Sequence, residues 1–435
     1  MILMVKKCNP LKSEIKVSGD KSITHRGLII GALAEGKTLL REYSRCADCM
    51  ATLENLSKLG IKFDESESAV SIHGKGFNGI IEPSDVLDCK NSGTTMRLLV
   101  GVLAGQDFFS VLTGDSSLRK RPMSRVIEPL KTMGAEIFAR ADGRYAPLCI
   151  KGGNLKPIDY RLPVASAQVK SAILLACLYT DGTAVIEEPI FTRDHSERML
   201  KIFGAKIERK GRAILIKGRE ILYGQDITIP GDISSAAYFI VLGSLVQSSE
   251  IFLKAIGINP TRTGLLDVLK TMGADISVIK KQIISNEPIA DLLVRYKGLR
   301  GIEISGELIP RLIDELPIIA VAATQATGVT VVKDAKELRV KETDRIKAIV
   351  SELRKMGADI EEKDDGFIAA GPTKLHGVLC SSYSDHRIAM ALTIAGLVAD
   401  GETTIEHAEC IDISFPEFIK ILRKVSGEDS IRIKN

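Results

Sequence analysis

A short phrase that recurs along the chain constrains the fold more than any other feature of the sequence. It begins with Leu or Ile, carries Lys or Arg, ends with Gly, and returns at steps of roughly 70 residues. Its copies are Leu56–Gly60, Leu130–Gly134, Leu200–Gly204, Leu269–Gly273, Leu353–Gly357 and the degenerate Ile421–Gly427. Gly after the last apolar turn suits a left-handed helix C-cap, and a basic residue there suits the negative helix end. The spacing therefore predicts one α/β unit used six times.

Helices of a second kind run in step with the phrase, and each opens with a polar cluster. The clusters begin at Asp20, Asn91, Ala165, Asp232, Asp314 and Ser384. The helices that follow are apolar on nearly every side, which predicts that they are buried. Free N–H groups and the positive end of the dipole attract anions at helix starts. We therefore expect function to lie at these six helix N-termini.

Six units in 435 residues favour two domains of three units each. We expect one domain to comprise residues 1–18 and 233–435, because a strand near the N-terminus is expected to complete the last sheet. Residues 19–232 would form the other domain. The hinge between the two domains is then expected near Ser18-Gly19 and Gly231-Asp232.

Composition excludes several classes of function. A net charge of +4, 5% aromatic residues and no Trp argue against a nucleic-acid surface. No apolar stretch reaches the length of a membrane span and no signal peptide is recognised, so we expect a soluble, cytoplasmic protein. Cys46 and Cys49 form one C-x-x-C without a partner motif, which favours reduced thiols. P-loop and dinucleotide motifs are missing, and we expect neither cofactor nor metal.

The charged residues at or near the helix starts are mostly cationic. Arg forks suit planar carboxylate and phosphate groups and Lys supplies a point charge, so their convergence predicts ligands with two or more anionic groups. Taken singly, each cation is equally well explained as a solvated cap or a surface ion pair. The set comprises Lys21, Arg26, Arg97, Arg121, Lys170, Arg193, Lys341, Arg345 and Arg387.

Two carboxylates among these cations are candidates for proton transfer. Asp314 is either a plain N-cap of the apolar helix after it or a general base. Glu342 is expected in the first turns of a helix that opens with Arg339–Arg345, where it either stabilises the dipole or donates a proton. His386 is either a proton carrier or only a hydrogen-bond donor.

Eight ordered motifs, spread nearly end to end, resemble those of the 5-enolpyruvylshikimate-3-phosphate synthase family. They are Gly19–Arg26, Asn91–Arg97, Arg121-Pro122, Ser166–Gln168, Arg193–His195, Asp314–Pro317, Arg339–Arg345 and Asp385–Arg387. The resemblance implies a two-domain inside-out α/β barrel fold, with three βαβαββ units in each domain and closure over substrate. It also implies transfer of the enolpyruvyl group of phosphoenolpyruvate to the 5-hydroxyl of shikimate 3-phosphate, with no metal and no covalent enzyme adduct.

The same resemblance implies a role for each site residue. Asp314 would take the hydroxyl proton, Glu342 would protonate the methylene carbon, and Lys21 would lie between the two substrates. Shikimate 3-phosphate would be held by Lys21, Ser22, Arg26, Ser166, Ala167, Gln168, Arg193, Asp314 and Lys341. Phosphoenolpyruvate would be held by Lys21, Asn91, Gly93, Thr94, Arg121, Gln168, Arg345 and Arg387, with His386 in support.

This chain departs from the family pattern in two places, and two other functions are alternatives to enolpyruvyl transfer to shikimate 3-phosphate. Ile413 stands where many members have a Lys, and Ser166-Ala-Gln is similar to a second subgroup of the family. The sister enzymes that use UDP-N-acetylglucosamine have a Cys where this chain has Ser116–Arg121. A non-enzymatic module binding anions or RNA ends would need the cations but no acid and base. We expect a monomer whose partners are its small-molecule substrates.

Overall fold

The computed structural model describes residues Met1–Lys434, which form two compact units. Unit 1 consists of Met1–Ser18, Pro230–Ile283 and the described chain from Pro288 onward. Unit 2 consists of Gly19–Ile229 together with Ile284–Glu287. The chain leaves unit 2 after Ile229, slightly before the expected boundary at residue 232. The assignment of residues 284–287 to unit 2 had no counterpart in the sequence pattern.

Unit 2 contains three four-stranded sheets, each flanked by helices. Their orders are β14-β3-β5-β4, β6-β7-β9-β8 and β10-β11-β13-β12. The strands are β3 (Glu35–Arg41), β4 (Lys62–Glu65), β5 (Ala69–Lys75), β6 (Leu87–Asp88), β7 (Phe109–Thr113), β8 (Glu136–Ala139), β9 (Tyr145–Lys151), β10 (Asp159–Arg161), β11 (Thr183–Glu187), β12 (Ile207–Lys210), β13 (Ala213–Lys217) and β14 (Asp226–Thr228). The helices are α1 (Lys21–Leu33), α2 (Ala47–Lys58), α3 (Gly93–Leu103), α4 (Ser124–Met133), α5 (Arg140–Gly143), α6 (Ala167–Cys177) and α7 (His195–Ile202).

Unit 1 repeats the same arrangement. Its sheet orders are β16-β17-β15-β2, β18-β19-β21-β20 and β22-β23-β1-β24. The strands are β1 (Ile2–Lys6), β2 (Lys12–Ile15), β15 (Glu250–Gly257), β16 (Asp275–Ile284), β17 (Glu287–Arg295), β18 (Glu303–Ile304), β19 (Gly328–Val332), β20 (Asp359–Lys363), β21 (Gly366–Gly371), β22 (Leu379–Ser381), β23 (Glu402–Glu406) and β24 (Ile431–Lys434). The helices are α8 (Ile233–Leu245), α9 (Gly264–Thr271), α10 (Ile309–Leu312), α11 (Leu316–Thr324), α12 (Arg345–Lys355), α13 (His386–Val398) and α14 (Phe418–Ser426).

The N-terminal segment supplies two strands to unit 1. The first, β1, lies between β23 and β24 and is antiparallel to both, so it completes the last sheet as the sequence predicts. The second, β2, pairs in parallel with β15 in a different sheet. The sequence pattern indicated one strand in this segment, and the structure has two.

The recurring phrase is a helix ending with a defined hydrogen-bond pattern. In the second copy, Gly134 has φ 115° and its N–H donates to the Lys131 carbonyl at 3.0 Å. The Ala135 N–H returns to the carbonyl of Leu130, the residue that opens the phrase, at 3.0 Å. These two bonds form a Schellman motif, which uses a left-handed glycine to satisfy the last carbonyls of a helix. The predicted C-cap is therefore confirmed.

The degenerate sixth copy ends its helix differently. Gly427 has φ 95° and ψ 142°, outside the left-handed helical region, and its N–H bonds to the Arg423 carbonyl at 2.9 Å. A short 3₁₀ turn, Glu428–Ser430, follows it directly and leads into β24. The extra residues in this copy therefore correspond to a different exit from the helix.

The six helices with polar openings are buried, as their composition predicts. In α13, for example, all residues from His386 to Leu397 are buried. Each unit has its own hydrophobic core, to which these helices contribute most of their side chains. Among the described residues, no helix is both long and apolar enough to cross a membrane. The burial of these helices leaves their first turns as the place where polar side chains gather.

Candidate active site

The helix starts of unit 2 are fixed by side-chain caps from the predicted polar clusters. Asp20 accepts from the Ile23 N–H at 2.9 Å at the start of α1, and Ser92 accepts from Thr95 at 3.1 Å at the start of α3. Ser166 caps α6 by a longer bond from Val169, 3.4 Å. These caps set where the next residues of each cluster lie, including Lys21, Ser22, Gly93, Thr94 and Ala167.

Arg26 joins the starts of three helices of unit 2. It is 3% exposed, and its Nε donates to Ser196 Oγ on α7 at 2.7 Å. Its Nη2 donates to Ser171 Oγ on α6 at 2.8 Å, and its Nη1 donates to the Ser22 carbonyl at 2.8 Å. All three guanidinium nitrogens are thereby hydrogen-bonded, one of them to Ser22, a residue predicted to bind shikimate 3-phosphate. Sequence reasoning missed Ser171 and Ser196, which carry no motif of their own.

Gln168 connects α6 with α3. Its Nε2 donates to Thr94 Oγ1 at 2.9 Å, and its Oε1 accepts from Arg97 Nη1. Arg97 also donates to the Pro122 carbonyl at 3.3 Å. Two residues predicted to bind phosphoenolpyruvate, Thr94 and Gln168, are therefore in direct contact.

Two other residues predicted to bind phosphoenolpyruvate, Arg121 and Asn91, are also in direct contact. Arg121 Nη2 donates to Asn91 Oδ1 at 2.8 Å, and Asn91 Nδ2 donates to Asp115 Oδ2 at 2.6 Å. A Cβ at Gly93 would lie 3.1 Å from Arg97 Nη1 and 3.3 Å from Arg121 Nη1. The absence of a side chain at Gly93 therefore lets two guanidinium groups lie close to the backbone at the start of α3. Asp115 was not among the predicted site residues, although Gly114-Asp115 comes shortly before the basic residues Arg119, Lys120 and Arg121.

Lys21 is the first residue of α1, and its Nζ pairs with Asp48 Oδ2 at 2.8 Å. Asp48 lies between the two cysteines in the first turn of α2, and its carbonyl accepts from Thr95 Oγ1 at 3.2 Å. The pair is partly exposed, with 18% of the Lys21 side chain accessible. Asp48 was not identified from the sequence. Arg193 is half-buried in the segment before α7.

The expectation that Lys170 belongs with the anion-binding cations is wrong. Its side chain is fully buried in α6 and pairs with Glu188 at 3.0 Å and Glu197 at 2.7 Å. Arg209 bonds to the same two carboxylates at 2.8 Å each. Burial would raise the pKa of Glu188, but Lys170 and its other partners lower it below the ordinary value. Lys170 lies one turn from the helix start, so its side chain points into the packing between helices.

Asp314 lies in a 3₁₀ turn, Ile313–Glu315, directly before α11. Neither that turn nor α11 has a side-chain cap, so the alternative that Asp314 is a plain N-cap is wrong. Its Oδ1 instead accepts from Lys341 Nζ at 3.3 Å and from Arg345 Nη1 at 3.5 Å. Arg387 Nη2 is 4.0 Å from its other oxygen. Asp314 therefore lies beside three cations and caps no helix.

Arg345 is the centre of the carboxylate cluster in unit 1. It is 1% exposed, and it bonds to Asp385 through Nε at 2.8 Å and through Nη2 at 3.2 Å. Nη2 also donates to Glu342 Oε2 at 2.6 Å. Burial lowers the pKa of the Arg345 guanidinium, but Asp385 and Glu342 raise it above its ordinary value overall. The cation therefore stays charged and fixes the Glu342 carboxylate beside it.

The expected position of Glu342 in a helical turn is wrong. Residues Lys336–Val340 form a 3₁₀ turn, and α12 begins only at Arg345, where Asp344 caps it by accepting from Lys347 at 3.1 Å. Glu342 therefore lies in the loop between these elements, and stabilisation of a helix dipole from the first turn does not explain it. The Asp344 cap accounts for the shift, since it starts the helix at Arg345, six residues after the expected opening at Arg339.

Arg387 and His386 open α13, which Asp385 caps by accepting from the Arg387 N–H at 2.9 Å. Arg387 Nη1 donates to the Asp314 carbonyl at 2.9 Å. Burial lowers the pKa of Arg387, but the nearby carboxylates, Asp314 first, raise it above its ordinary value. His386 is buried at the first position of the helix. One carboxylate, Asp385, thus fixes both the Arg345 side chain and the start of the helix that carries Arg387.

Each unit therefore collects a set of cations at its helix starts, and unit 1 adds two carboxylates held by cations. Such sets suit phosphate and carboxylate ligands, and the two carboxylates beside the cations of unit 1 are Asp314 and Glu342. Within Met1–Lys434, no group of three or more His, Cys, Asp or Glu side chains is arranged to hold a metal ion.

Comparison with known proteins gives a consistent result. The sequence profile of a family described as EPSP synthase (3-phosphoshikimate 1-carboxyvinyltransferase) matches residues 5–422. A 3-phosphoshikimate 1-carboxyvinyltransferase of Petrotoga mobilis is 54% identical over 419 residues, covering 95% of this chain and 97% of its own. That of Geotalea uraniireducens is 53% identical over 421 residues, covering 97% and 98%. The structure of EPSP synthase from Acinetobacter baumannii has a TM-score of 0.89 at 41% identity over 100% of both chains. The predicted fold class is confirmed.

Proposed function

Because this chain belongs to the EPSP synthase family, we propose that its two sets of helix-start residues divide between them the binding and proton transfers of one reaction. That reaction transfers the enolpyruvyl group of phosphoenolpyruvate to the 5-hydroxyl of shikimate 3-phosphate and releases phosphate. The hydroxyl oxygen bonds to C2 of phosphoenolpyruvate while C3 gains a proton. Loss of phosphate from C2 and of a proton from C3 then restores the double bond. Both substrates carry a phosphate and a carboxylate, so their binding demands many cations.

Unit 2 would bind the phosphate groups. Arg26, held by Ser171 and Ser196, would take part in the site for shikimate 3-phosphate with Lys21, Ser22, Ser166, Ala167, Gln168 and Arg193. Phosphoenolpyruvate would be held by Asn91, Gly93, Thr94, Arg121 and Gln168. Supporting this, Gly93 has no side chain to keep the guanidinium groups of Arg97 and Arg121 away from the backbone at the start of α3. Lys21 would lie against both substrates, exchanging part of its contact with Asp48 for substrate oxygens. This fits the rule that helix N-termini with Arg forks bind phosphate.

Unit 1 would perform the proton transfers. Asp314 would accept the proton of the 5-hydroxyl, with Lys341 beside it to hold shikimate 3-phosphate. Glu342 would deliver a proton to the methylene carbon, and Arg345 and Arg387 would bind the carboxylate of phosphoenolpyruvate. The observation that carries this proposal is the environment of Asp314, which has cations around its carboxylate and no helix to cap. His386 would support Arg387 from the adjacent position.

The acceptor is the point that separates this function from its alternatives. We expect phosphate release from phosphoenolpyruvate with shikimate 3-phosphate and none with UDP-N-acetylglucosamine, measured on the same enzyme preparation. Release with the nucleotide sugar would instead assign the sister activity. Release with neither acceptor, together with binding of a polynucleotide, would favour the non-enzymatic module.

The state of the molecule in the cell is a further part of the proposal. We propose a cytoplasmic monomer that binds no nucleic acid, since Lys and Arg exceed Asp and Glu by only 4 and the chain has no Trp. Light scattering during gel filtration measures the mass of the species in solution. A mass of two chains, or retention on a polynucleotide column at moderate salt, would contradict this part.

A further inference from the structure

We propose that Glu315 is a positioning residue that holds Arg387 where phosphoenolpyruvate binds. The inference rests on the proposed function of Arg387 and deepens it. Glu315 ends the 3₁₀ turn before α11, is 1% exposed, and its Oε1 lies 3.5 Å from Arg387 Nη1. The same nitrogen donates to the Asp314 carbonyl at 2.9 Å. Two consecutive residues thus fix one end of the guanidinium.

Glu315 is itself held by a chain of buried groups. The Ser234 hydroxyl, in the first turn of α8, donates to Glu315 Oε1. Arg262 Nη2 donates to Ser234 Oγ at 2.7 Å and pairs with Asp232 Oδ1 at 3.3 Å. Arg262 is only 3% exposed. Buried networks of this kind fix the orientation of their members more firmly than single contacts do.

The charge of Glu315, and not only its shape, is what this arrangement uses. Arg387 is buried, and a buried guanidinium needs anions around it to keep a defined position. Glu315 Oε2 is buried without a hydrogen-bond partner among the described residues, so its second oxygen contributes charge and no bond. Since almost none of Glu315 is exposed, it acts through Arg387 and not on a bound ligand. The adjacent carboxylate, Asp314, differs because each of its two oxygens lies near a cation, Lys341 at 3.3 Å and Arg387 at 4.0 Å.

The decisive variant is Glu315→Gln, which keeps the side-chain shape and an oxygen for Ser234 but removes the charge. We expect the KM for phosphoenolpyruvate to rise about 10-fold or more. Its Kd, measured by calorimetry without shikimate 3-phosphate so that no turnover occurs, should rise by a similar factor. The kcat should fall less than about 3-fold, and the KM for shikimate 3-phosphate should stay unchanged. If Glu315 acts through Arg387, the effect disappears in the Arg387→Met background, so the double variant binds phosphoenolpyruvate no more weakly than Arg387→Met alone.

Glu352→Gln is the matched control. Glu352 is also fully buried in unit 1, but it accepts from Lys355 and Tyr383 at the far end of α12. Whatever this variant does to the melting temperature, its affinity for phosphoenolpyruvate should equal that of the wild type.

Three results would overturn the inference: unchanged phosphoenolpyruvate affinity in Glu315→Gln, an additive loss in the double variant, or lost kcat with KM unchanged. The last would make Glu315 a proton-transfer group. Failure of the proposed function looks different, because the wild type would then release no phosphate with shikimate 3-phosphate. In that case, calorimetry would still show whether Glu315→Gln binds phosphoenolpyruvate more weakly than the wild type does, so the two failures can be told apart.

Discussion

At the scale of single residues, neighbouring carboxylates of this chain have separate tasks that their environments decide. Asp314, Glu315, Asp344 and Asp385 all lie close to helix starts, yet only the last two cap helices. Asp314 contacts cations and Glu315 is buried behind one of them. The burial of each carboxylate and the groups that it contacts therefore determine whether it can cap a helix, hold a neighbouring cation or reach a ligand.

Asp314→Asn tests the role of that residue as general base. We expect turnover to fall at least about 100-fold, as general-base contributions usually do. The free energy of unfolding should change by less than about 1 kcal/mol, because Asp314 caps no helix and Arg345 keeps its other carboxylates. Steady-state kinetics and urea denaturation measure the two effects. Asp344→Asn is the control, since Asn caps a helix as well as Asp and turnover should remain within about 2-fold. Equal losses of stability and turnover in Asp314→Asn would contradict the proposal.

His25 makes stability depend on pH. It is fully buried on α1, and its Nδ1 contacts Thr52 Oγ1 at 2.7 Å. Burial lowers its pKa well below 6.5, and the charges of Lys21 and Arg26 lower it further. The unfolded chain therefore binds a proton that the folded chain does not, so stability decreases as pH falls through 6.5. We expect a loss of about 1.4 kcal/mol between pH 7.5 and 5.5.

The measurement is urea denaturation of the wild type and of His25→Gln at both pH values. Because Gln does not titrate, the difference between the two proteins should shrink by about the same 1.4 kcal/mol on acidification. Parallel pH profiles would contradict the prediction, because they would mean that His25 has the same pKa in the folded and unfolded chains.

Sequence reasoning at this scale identified the residue types of the site but not all of their contacts. Asp314 and Glu342 stood out because acids are rare among the cations. Asp48, Asp115, Ser171 and Ser196 gave no signal, since each is an ordinary residue brought to the site by a different element. Lys170 was misassigned because the fold buries this side chain between Glu188 and Glu197, which lie far from it in the sequence. Only the fold determines that outcome.

At the scale of elements, the chain uses two kinds of helix for two purposes. Buried helices such as α1 and α13 carry polar side chains in their first turns, while amphipathic helices such as α4 and α9 end in the recurring glycine. The period and the C-caps were predictable because local hydrogen bonding determines them. The start of α12 was not predictable, because a helix from Arg339 to Lys355 and the shorter one from Arg345 to Lys355 both satisfy helix propensity, and the Asp344 cap decides between them.

Gly273→Ala tests the cap of α9. Gly273 has φ 99° with no close neighbour, so an Ala there is opposed by backbone strain alone. We expect a loss of about 1 kcal/mol or slightly more in the free energy of unfolding, measured by urea denaturation. Gly298→Ala is the matched control, because Gly298 has no positive φ and no atom within 4 Å of its added Cβ. That change should stay within about 0.5 kcal/mol. Equal effects at the two positions would exclude the left-handed cap as the cause.

At the scale of the whole molecule, each unit has a hydrophobic core of its own. Unit 2 is nearly continuous in sequence, whereas unit 1 needs both ends of the chain. In β1, Leu3 and Val5 are fully buried. The N–H of Asp232 donates to the Ser18 carbonyl at 3.0 Å, so the two pieces of unit 1 meet where the chain departs and returns.

Fragments of the chain test this division. Residues 19–229 alone should melt cooperatively, because they contain the core of unit 2. Residues 230–435 alone should not, since the sheet built on β23 and β24 lacks its middle strand. Joining residues 1–18 to residue 230 by a short Gly/Ser linker should restore a cooperative transition, measured by circular dichroism. A cooperative melt of 230–435 without the N-terminal segment would show that β1 and β2 are dispensable.

The place of β1 between β23 and β24 also sets an order of events on the ribosome. β1 is made first, and its partners end at Lys434, so it remains unpaired for roughly 20 to 90 s at usual rates of synthesis. Unit 2, whose last residue is Glu287, is complete in the nascent chain after about two-thirds of that time and can fold while unit 1 is unfinished. The first strand of this protein, with its apolar Leu3 and Val5, is thus the segment that a ribosome-associated chaperone meets unprotected for longest.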